Sequence, residues 1–214
     1  FLRMKCILII CLFFCLSNTS HSQDSINESD SLFIDSITKL NLNNKKLILF
    51  ENKYNQAIDK FNLGNLNNAI LLLDECVKLD STSANSYFLL SKCYYNLDLK
   101  IEFLQNIKKA LFIDSTNVVY ISEIGNYYRS VRKNDSANFY YDMIIENFPN
   151  FSDVFYWKSL INIKNEDYSS ALDNINKAIN IEEKDYFFNE RAGIYRKQKN
   201  FNKSLLDYKI CIEI

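Results

Sequence analysis

Apolar and small residues recur along this chain at a fixed interval. Between Asn68 and Ser81, the small Ala69, the bulky Leu73 and then Cys76 follow one another at about one helical turn. Shifts of 34 residues, and finally one of 33, bring the pattern back as Phe103, Ile107 and Ala110; Ala137, Tyr141 and Ile144; Ala171, Ile175 and Ala178; and Ser204, Tyr208 and Cys211. A period of this size predicts an array of repeated supersecondary units.

A second apolar stripe precedes each of these runs. In the first unit Tyr54, Ala57, Ile58 and Phe61 have the spacing of one helix face, and Gly64 interrupts the pattern. Each unit is therefore predicted to be helix, turn, helix, with turns near residues 64, 98, 132, 166 and 199. Heptads do not persist through such turns, which argues against a coiled coil, the main alternative.

Small residues also recur on the predicted first helices. Twelve residues before the first residue of each of these runs stands a small residue: Ala57, Ser91, Gly125, Ser159 and Ala192. Small side chains allow two helices to approach closely, so we expect these five positions to lie where the helices of a pair cross. The three Gly and one Pro among 214 residues suit helices joined by short turns and disfavour an all-β fold.

The N-terminal residues have a different pattern. Met4 and Lys5 precede eleven apolar residues, Cys6 to Leu16, and Ser20-His21-Ser22 forms a small-x-small end. This predicts a signal peptide over 1–22, cleaved before Gln23, and an exported protein. Lipidation of Cys15 is the alternative, although Phe14 fits a lipobox poorly. Residues 23–44 are rich in Ser, Asp and Asn and predict a flexible polar leader with one short helix near 31–40.

The repeat positions resemble those of the tetratricopeptide repeat (TPR) family. Besides the small residues, the resemblance rests on aromatic residues late in the first helix and in the turn. It also rests on Pro149, which closes the third unit. These aromatic residues are Tyr94, Tyr128 and Tyr195 in the first helices and Tyr168 and Phe201 in the turns. The resemblance implies an all-α, right-handed α-solenoid over 45–214, with five units at 50–83, 84–117, 118–151, 152–184 and 185–214.

Some positions depart from the family pattern. Phe103 stands where a small residue is expected, and Lys100 and Asn134 replace the aromatic residue of the turn. In the fourth unit Lys158 and Asn162 occupy places that are usually apolar, and Trp157 is displaced.

The net charge of the chain and the reactive residues that it contains limit the functions that can be expected. Removing residues 1–22 takes away two basic residues and no acidic one, which leaves 23 basic and 26 acidic residues and a formal net charge of −3. No basic surplus remains to neutralise phosphates, so nucleic-acid binding is not expected. The one His, His21, lies in the predicted signal peptide, and no phosphate-binding loop or CxxC motif occurs. We therefore expect no enzyme activity, metal or cofactor.

Three cysteines follow the predicted signal peptide, namely Cys76, Cys93 and Cys211. Their places inside the repeats favour buried small side chains. A Cys76–Cys93 disulfide is the alternative, since an exported protein meets an oxidising compartment.

The resemblance implies a scaffold that binds a protein or peptide on the concave wall made by its first helices. Carried onto this chain, the wall residues are Phe88, Lys92, Tyr95, Ser122, Asn126, Arg129, Tyr156, Asn189 and Arg196, called the candidate face below. Tyr54 and Ile58 do not fit the carboxylate clamp of chaperone-binding TPRs. The alternative function is the extracytoplasmic sensor of a longer membrane signalling protein, a kinase or transcriptional regulator. The expected location is periplasmic, outer-membrane-associated or secreted.

Overall fold

The structure is a computed structural model that describes the backbone of residues 23–213 and the side chains of residues 31–213. Over residues 23–213 the protein forms ten α-helices and no β-strand. They are α1 (Gln23–Asn62), α2 (Leu66–Leu79), α3 (Ala84–Asn96), α4 (Lys100–Ile113), α5 (Val118–Ser130), α6 (Asn134–Asn147), α7 (Ser152–Lys164), α8 (Tyr168–Ile181), α9 (Asp185–Lys197) and α10 (Phe201–Glu213). The predicted signal peptide and Cys15 lie outside the described residues.

The chain divides into two compact units between Asn52 and Lys53. In the first compact unit, residues 23–44, for which the sequence predicts a flexible leader, are helical and belong to α1. No Gly or Pro occurs between residues 23 and 62, so nothing in the backbone interrupts the helix before Gly64. All side chains from Ser31 to Leu49 are exposed, including those of Phe33 and Leu40.

The second compact unit, which begins at Lys53, is an all-α helical-repeat solenoid, as the periodicity predicted. From residue 84 onward each predicted unit holds one helix pair: α3 with α4, α5 with α6, α7 with α8, and α9 with α10. The two helices of a pair pack against each other, and each second helix also packs against the following first helix. Nearest-neighbour packing of this kind is what allows short helix pairs to share a continuous core.

The same turn ends every first helix. One residue with positive φ stands at each predicted turn position, namely Gly64, Asp98, Arg132, Glu166 and Lys199, with φ between 58° and 72°. The next amide donates to the carbonyl five residues back, for example Asn65 N to Lys60 O at 2.8 Å and Asn200 N to Tyr195 O at 2.8 Å. This bond is characteristic of the Schellman motif, which terminates helices. Four of the five turns use it without glycine.

The small first-helix positions are all buried, as predicted. The hydroxyls of Ser91 and Ser159 donate to carbonyls one turn back, Phe88 O at 2.6 Å and Tyr156 O at 2.7 Å. Because these bonds satisfy the hydroxyls, a buried serine costs little more than an alanine here. The burial of Ser159 also shows that α7 keeps the repeat register despite the charged and polar residues around it.

Neighbouring aromatic rings pack around the residues that depart from the repeat pattern. Phe103, in a place expected to hold a small residue, is buried between Tyr95 and Tyr127, with ring centroids 5.3 and 5.0 Å away. Trp157 packs in the same way against Tyr141 and Phe151, at 5.6 and 5.8 Å. Aromatic residues of adjacent units therefore fill the space that a strict consensus would leave to smaller ones.

The repeat cysteines behave as core residues. Cys76 and Cys93 are both buried, and burial raises the pKa of each thiol to about 11. Cys93 is a free thiol, so the disulfide considered from the sequence is not formed in this structure.

Candidate functional site

Some residues of the candidate face make contacts between successive first helices. Between α3 and α5, the ring of Phe88 lies 5.0 Å from that of Tyr120. Between α7 and α9, Tyr156 lies 5.1 Å from Tyr186 and 5.5 Å from Phe187. At both junctions the fifth residue of one unit, Phe88 or Tyr156, thus meets the third residue of the next, Tyr120 or Phe187.

Lys92 is already engaged within the protein. Its Nζ donates to Oε1 of Glu123 on α5 at 2.9 Å and lies 5.9 Å from the ring centroid of Tyr95. Both charged side chains are about one third exposed. A partner that contacts Lys92 would therefore meet a partly exposed ion pair. The partner's attraction to this pair would be smaller than its attraction to an isolated cation.

Arg129 and Asn126 are held by a buried tyrosine. The hydroxyl of Tyr141 on α6 donates to Asn126 Oδ1 at 2.9 Å and accepts from Arg129 Nε at 3.2 Å. Arg129 Nη2 also donates to Asn126 Oδ1 at 3.4 Å. This network fixes two side chains of the candidate face on the core, which lowers the conformational entropy lost when they bind a ligand.

The same tyrosine predicts a stability change at alkaline pH. Burial raises the pKa of Tyr141 from its ordinary 10.0 to about 12. A group whose pKa is raised by folding stabilises the folded state below pH 10, and this contribution disappears as pH rises through 12. We expect the wild type to lose about 2–3 kcal/mol more than Tyr141→Phe between these values. Urea denaturation across this pH range measures the difference, and parallel curves would contradict the assignment.

A polar cluster lies between the starts of α7 and α9. Lys184 Nζ contacts Asp153 Oδ2 at 3.0 Å and Glu182 Oε2 at 2.8 Å, and the hydroxyl of Tyr186 donates to Asp153. Burial alone would lower the pKa of Lys184, but these hydrogen bonds outweigh it and raise the pKa. Burial and the bond to Asp153 raise the pKa of Tyr186 to about 12. The cluster keeps Tyr186 neutral beside Tyr156.

Glu190, on α9, differs from the other charged residues on these helices. Its side chain is mostly buried, and burial raises the pKa of its carboxyl group. Within residues 31–213 no hydrogen bond or ion pair reaches it. Its charge acts on Tyr156, whose pKa is raised first by burial and then by Glu190.

The predicted residues thus fall into two groups. Tyr95 is 50% exposed, Asn189 and Arg196 are exposed, and these three are open to a partner. The other six are partly buried, and Ser122 donates to its own helix at Val119 O, 3.0 Å away. The sequence reasoning missed Glu123, Asp153, Tyr186 and Glu190. The available signal was the spacing of 31 residues from Lys92 to Glu123, which places opposite charges on adjacent first helices.

Two further features are absent from the part of the chain that the structure describes. No group of three or more His, Cys, Asp or Glu side chains lies close enough to hold a metal ion. No described helix combines the length and apolar character needed to cross a bilayer.

Comparison with known proteins supports the fold. No protein-family model and no curated protein matches the chain. Among solved structures, PilF of Pseudomonas aeruginosa has a TM-score of 0.67 and 16% identity over 78% of this chain and 77% of its own. MamA of Desulfovibrio magneticus RS-1 has a TM-score of 0.66 and 11% identity over 77% and 94%. YrrB, described as a TPR protein with an unusual peptide-binding site, has a TM-score of 0.57 and 18% identity over 75% and 84%.

Proposed function

We propose that this protein is an exported, non-catalytic scaffold that binds an extended segment of another protein on the candidate face. The supporting observation is that Tyr95, Asn189 and Arg196 are exposed on first helices of the array, while the core holds Arg129 and Asn126 in place on another first helix. The resemblance to TPR proteins, and the peptide-binding site of YrrB, which has a similar fold, support a peptide or protein as the ligand.

The chemistry of the candidate face suits a polypeptide. Tyr95 and Tyr156 offer rigid aromatic area, which binding interfaces use as anchors. Asn189 can donate to and accept from a peptide backbone, and Arg196 can bind a carboxylate with two parallel hydrogen bonds. A partner that crosses several first helices would meet these side chains in succession, because they occupy positions that recur in each repeat.

The test compares two surfaces of the same protein. The chain from Gln23 onward is cross-linked to proteins of the native host's envelope fraction, and the affinity of each captured protein is then measured by calorimetry. We expect Tyr95→Ala/Asn189→Ala/Arg196→Ala to weaken binding at least tenfold, since exposed Tyr and Arg anchors often contribute more than 1 kcal/mol each. These three residues are preferred to Lys92 and Arg129, whose replacement would also remove internal bonds.

The control variant is Phe112→Ala/Phe139→Ala. Both phenylalanines lie on second helices and are largely exposed, at 89% and 62%. Binding should stay within about twofold of the wild type, because single exposed apolar residues outside an interface contribute little. Equal binding by both variants, or loss only in the phenylalanine variant, would reject the candidate face.

A further inference from the structure

The repeats allow each junction between first helices to be compared with the others. The ninth residue of one unit and the sixth residue of the next occupy equivalent places at each junction. At the junction of α3 and α5 these are Lys92 and Glu123, and they form the 2.9 Å ion pair. This junction therefore shows that the two repeat positions form an ion pair when they hold opposite charges.

The junction of α7 and α9 has the carboxylate without the cation. Glu190 is the sixth residue of its unit, as Glu123 is, but the ninth residue of the preceding unit is Leu160. The junction of α5 and α7 has Asn126 and Trp157 and carries no charge. Glu190 is therefore the one carboxylate at these three junctions that lacks the lysine of the Lys92–Glu123 pair.

No lysine or arginine of the described residues forms an ion pair with Glu190. Arg191, its neighbour in sequence, binds Asp207 and Asn176. Lys184, at the start of the same helix, is held by Asp153 and Glu182. Arg129, which also acts on Tyr156, is bonded to Tyr141. Every one of these cations has a different hydrogen-bond partner.

A carboxylate in this position favours a cationic ligand for two reasons. Partial burial has already removed water from it, which makes its attraction to a nearby cation stronger than at an open surface. The aromatic ring of Tyr156 also packs on α9, 5.5 Å from the ring of Phe187, which lies one helical turn before Glu190, and aromatic faces attract ammonium and guanidinium groups. An acidic side chain of a partner would be repelled.

We propose that Glu190 and Tyr156 form a subsite for a lysine or arginine side chain of the bound polypeptide. The partner's cation takes the place that Lys92 fills in the Lys92–Glu123 pair, because the equivalent Leu160 carries no charge. The subsite rests on the proposed function, since it lies among the residues of the candidate face.

The test uses a random dodecapeptide display library selected on the chain from Gln23 onward. Peptides selected on the wild type should share a lysine or arginine at one position. A synthetic peptide of that sequence should bind Glu190→Gln about tenfold more weakly, and replacing its basic residue by methionine should cause a similar loss. Combining the two changes should cause little further loss, because both remove the same interaction.

Glu146→Gln is the matched control, since it makes the same chemical change at an exposed residue of α6 and should leave the affinity within twofold. If the peptides lose binding in the Tyr95/Asn189/Arg196 variant but carry no shared basic residue, or bind Glu190→Gln equally well, the subsite is wrong and the proposed function stands. If the library yields no peptide that binds the wild type, the proposed function fails and the subsite fails with it.

Discussion

Replacing Asp207 by alanine should lower the stability of the last helix pair by about 3–5 kcal/mol. The carboxylate of Asp207 on α10 is almost fully buried and accepts two bonds from Arg191 on α9, from Nε at 2.8 Å and from Nη2 at 2.7 Å. The third nitrogen of Arg191 donates to Asn176 of α8 at 2.8 Å, and the guanidinium lies 5.3 Å from the ring of Phe188. Removing Asp207 leaves a largely buried cation without its counter-charge.

Hydrogen exchange resolved by helix, together with urea denaturation, measures this effect. Arrays of repeats can unfold in parts, so the loss of protection should be largest in α9 and α10. Asp173→Ala, which removes an exposed carboxylate from α8, is the control and should change stability by no more than about 0.5 kcal/mol. Similar exchange rates in the two variants would show that the Arg191–Asp207 pair contributes little.

Gly125→Ala should destabilise the protein by about 1–3 kcal/mol. A Cβ at Gly125 would lie 2.6 Å from Cε1 and 2.9 Å from Cδ1 of Tyr141. Tyr141 cannot move away easily, since it is fully buried and its hydroxyl is bonded to Arg129 and Asn126. In an open helix the same substitution would stabilise by about 1 kcal/mol, so the sign of the change reports the close approach.

Gly193 provides the matched comparison within the same protein. It lies in α9, and a Cβ there would meet nothing within 4 Å. Gly193→Ala should therefore raise the free energy of unfolding by up to about 1 kcal/mol, while Gly125→Ala lowers it. Thermal and urea denaturation of the two variants test the pair, and a gain in stability for both would contradict the steric role of Gly125.

The repeated helix pairs could be predicted because the information is local and recurs. A turn such as the one at Gly64 requires a few adjacent residues, and the buried place of Ala69 returns at Ala137 and Ala171. Each recurrence repeats the same packing problem, so a position that is ambiguous in one unit is settled by the others. The part of α1 before residue 50 has no repeat to support it, and its Ser, Asp and Asn residues suggested a flexible leader rather than a continuous helix.

The candidate face was predicted less completely. The sequence placed Lys92 and Arg129 on the first helices, but a repeat position alone does not tell whether a charged side chain is open to a partner or engaged. In the structure, Lys92 binds Glu123 and Arg129 is held by Tyr141. Glu190 was missed because isolated carboxylates on helices are usually solvated, and its burial depends on packing against a neighbouring unit.

The sequence alone determined the period, the helix pairs, the turn positions and the small residues where the helices cross. Each of these depends on backbone preferences and on side chains only a few residues apart. Only the tertiary structure decided which charges are paired, such as Arg191 with Asp207, and that Glu190 is partly buried without an ion pair within the described residues. Arg191 and Asp207 lie 16 residues apart, and Lys92 and Glu123 lie 31 apart, on different helices, so these contacts exist only after the helices have packed.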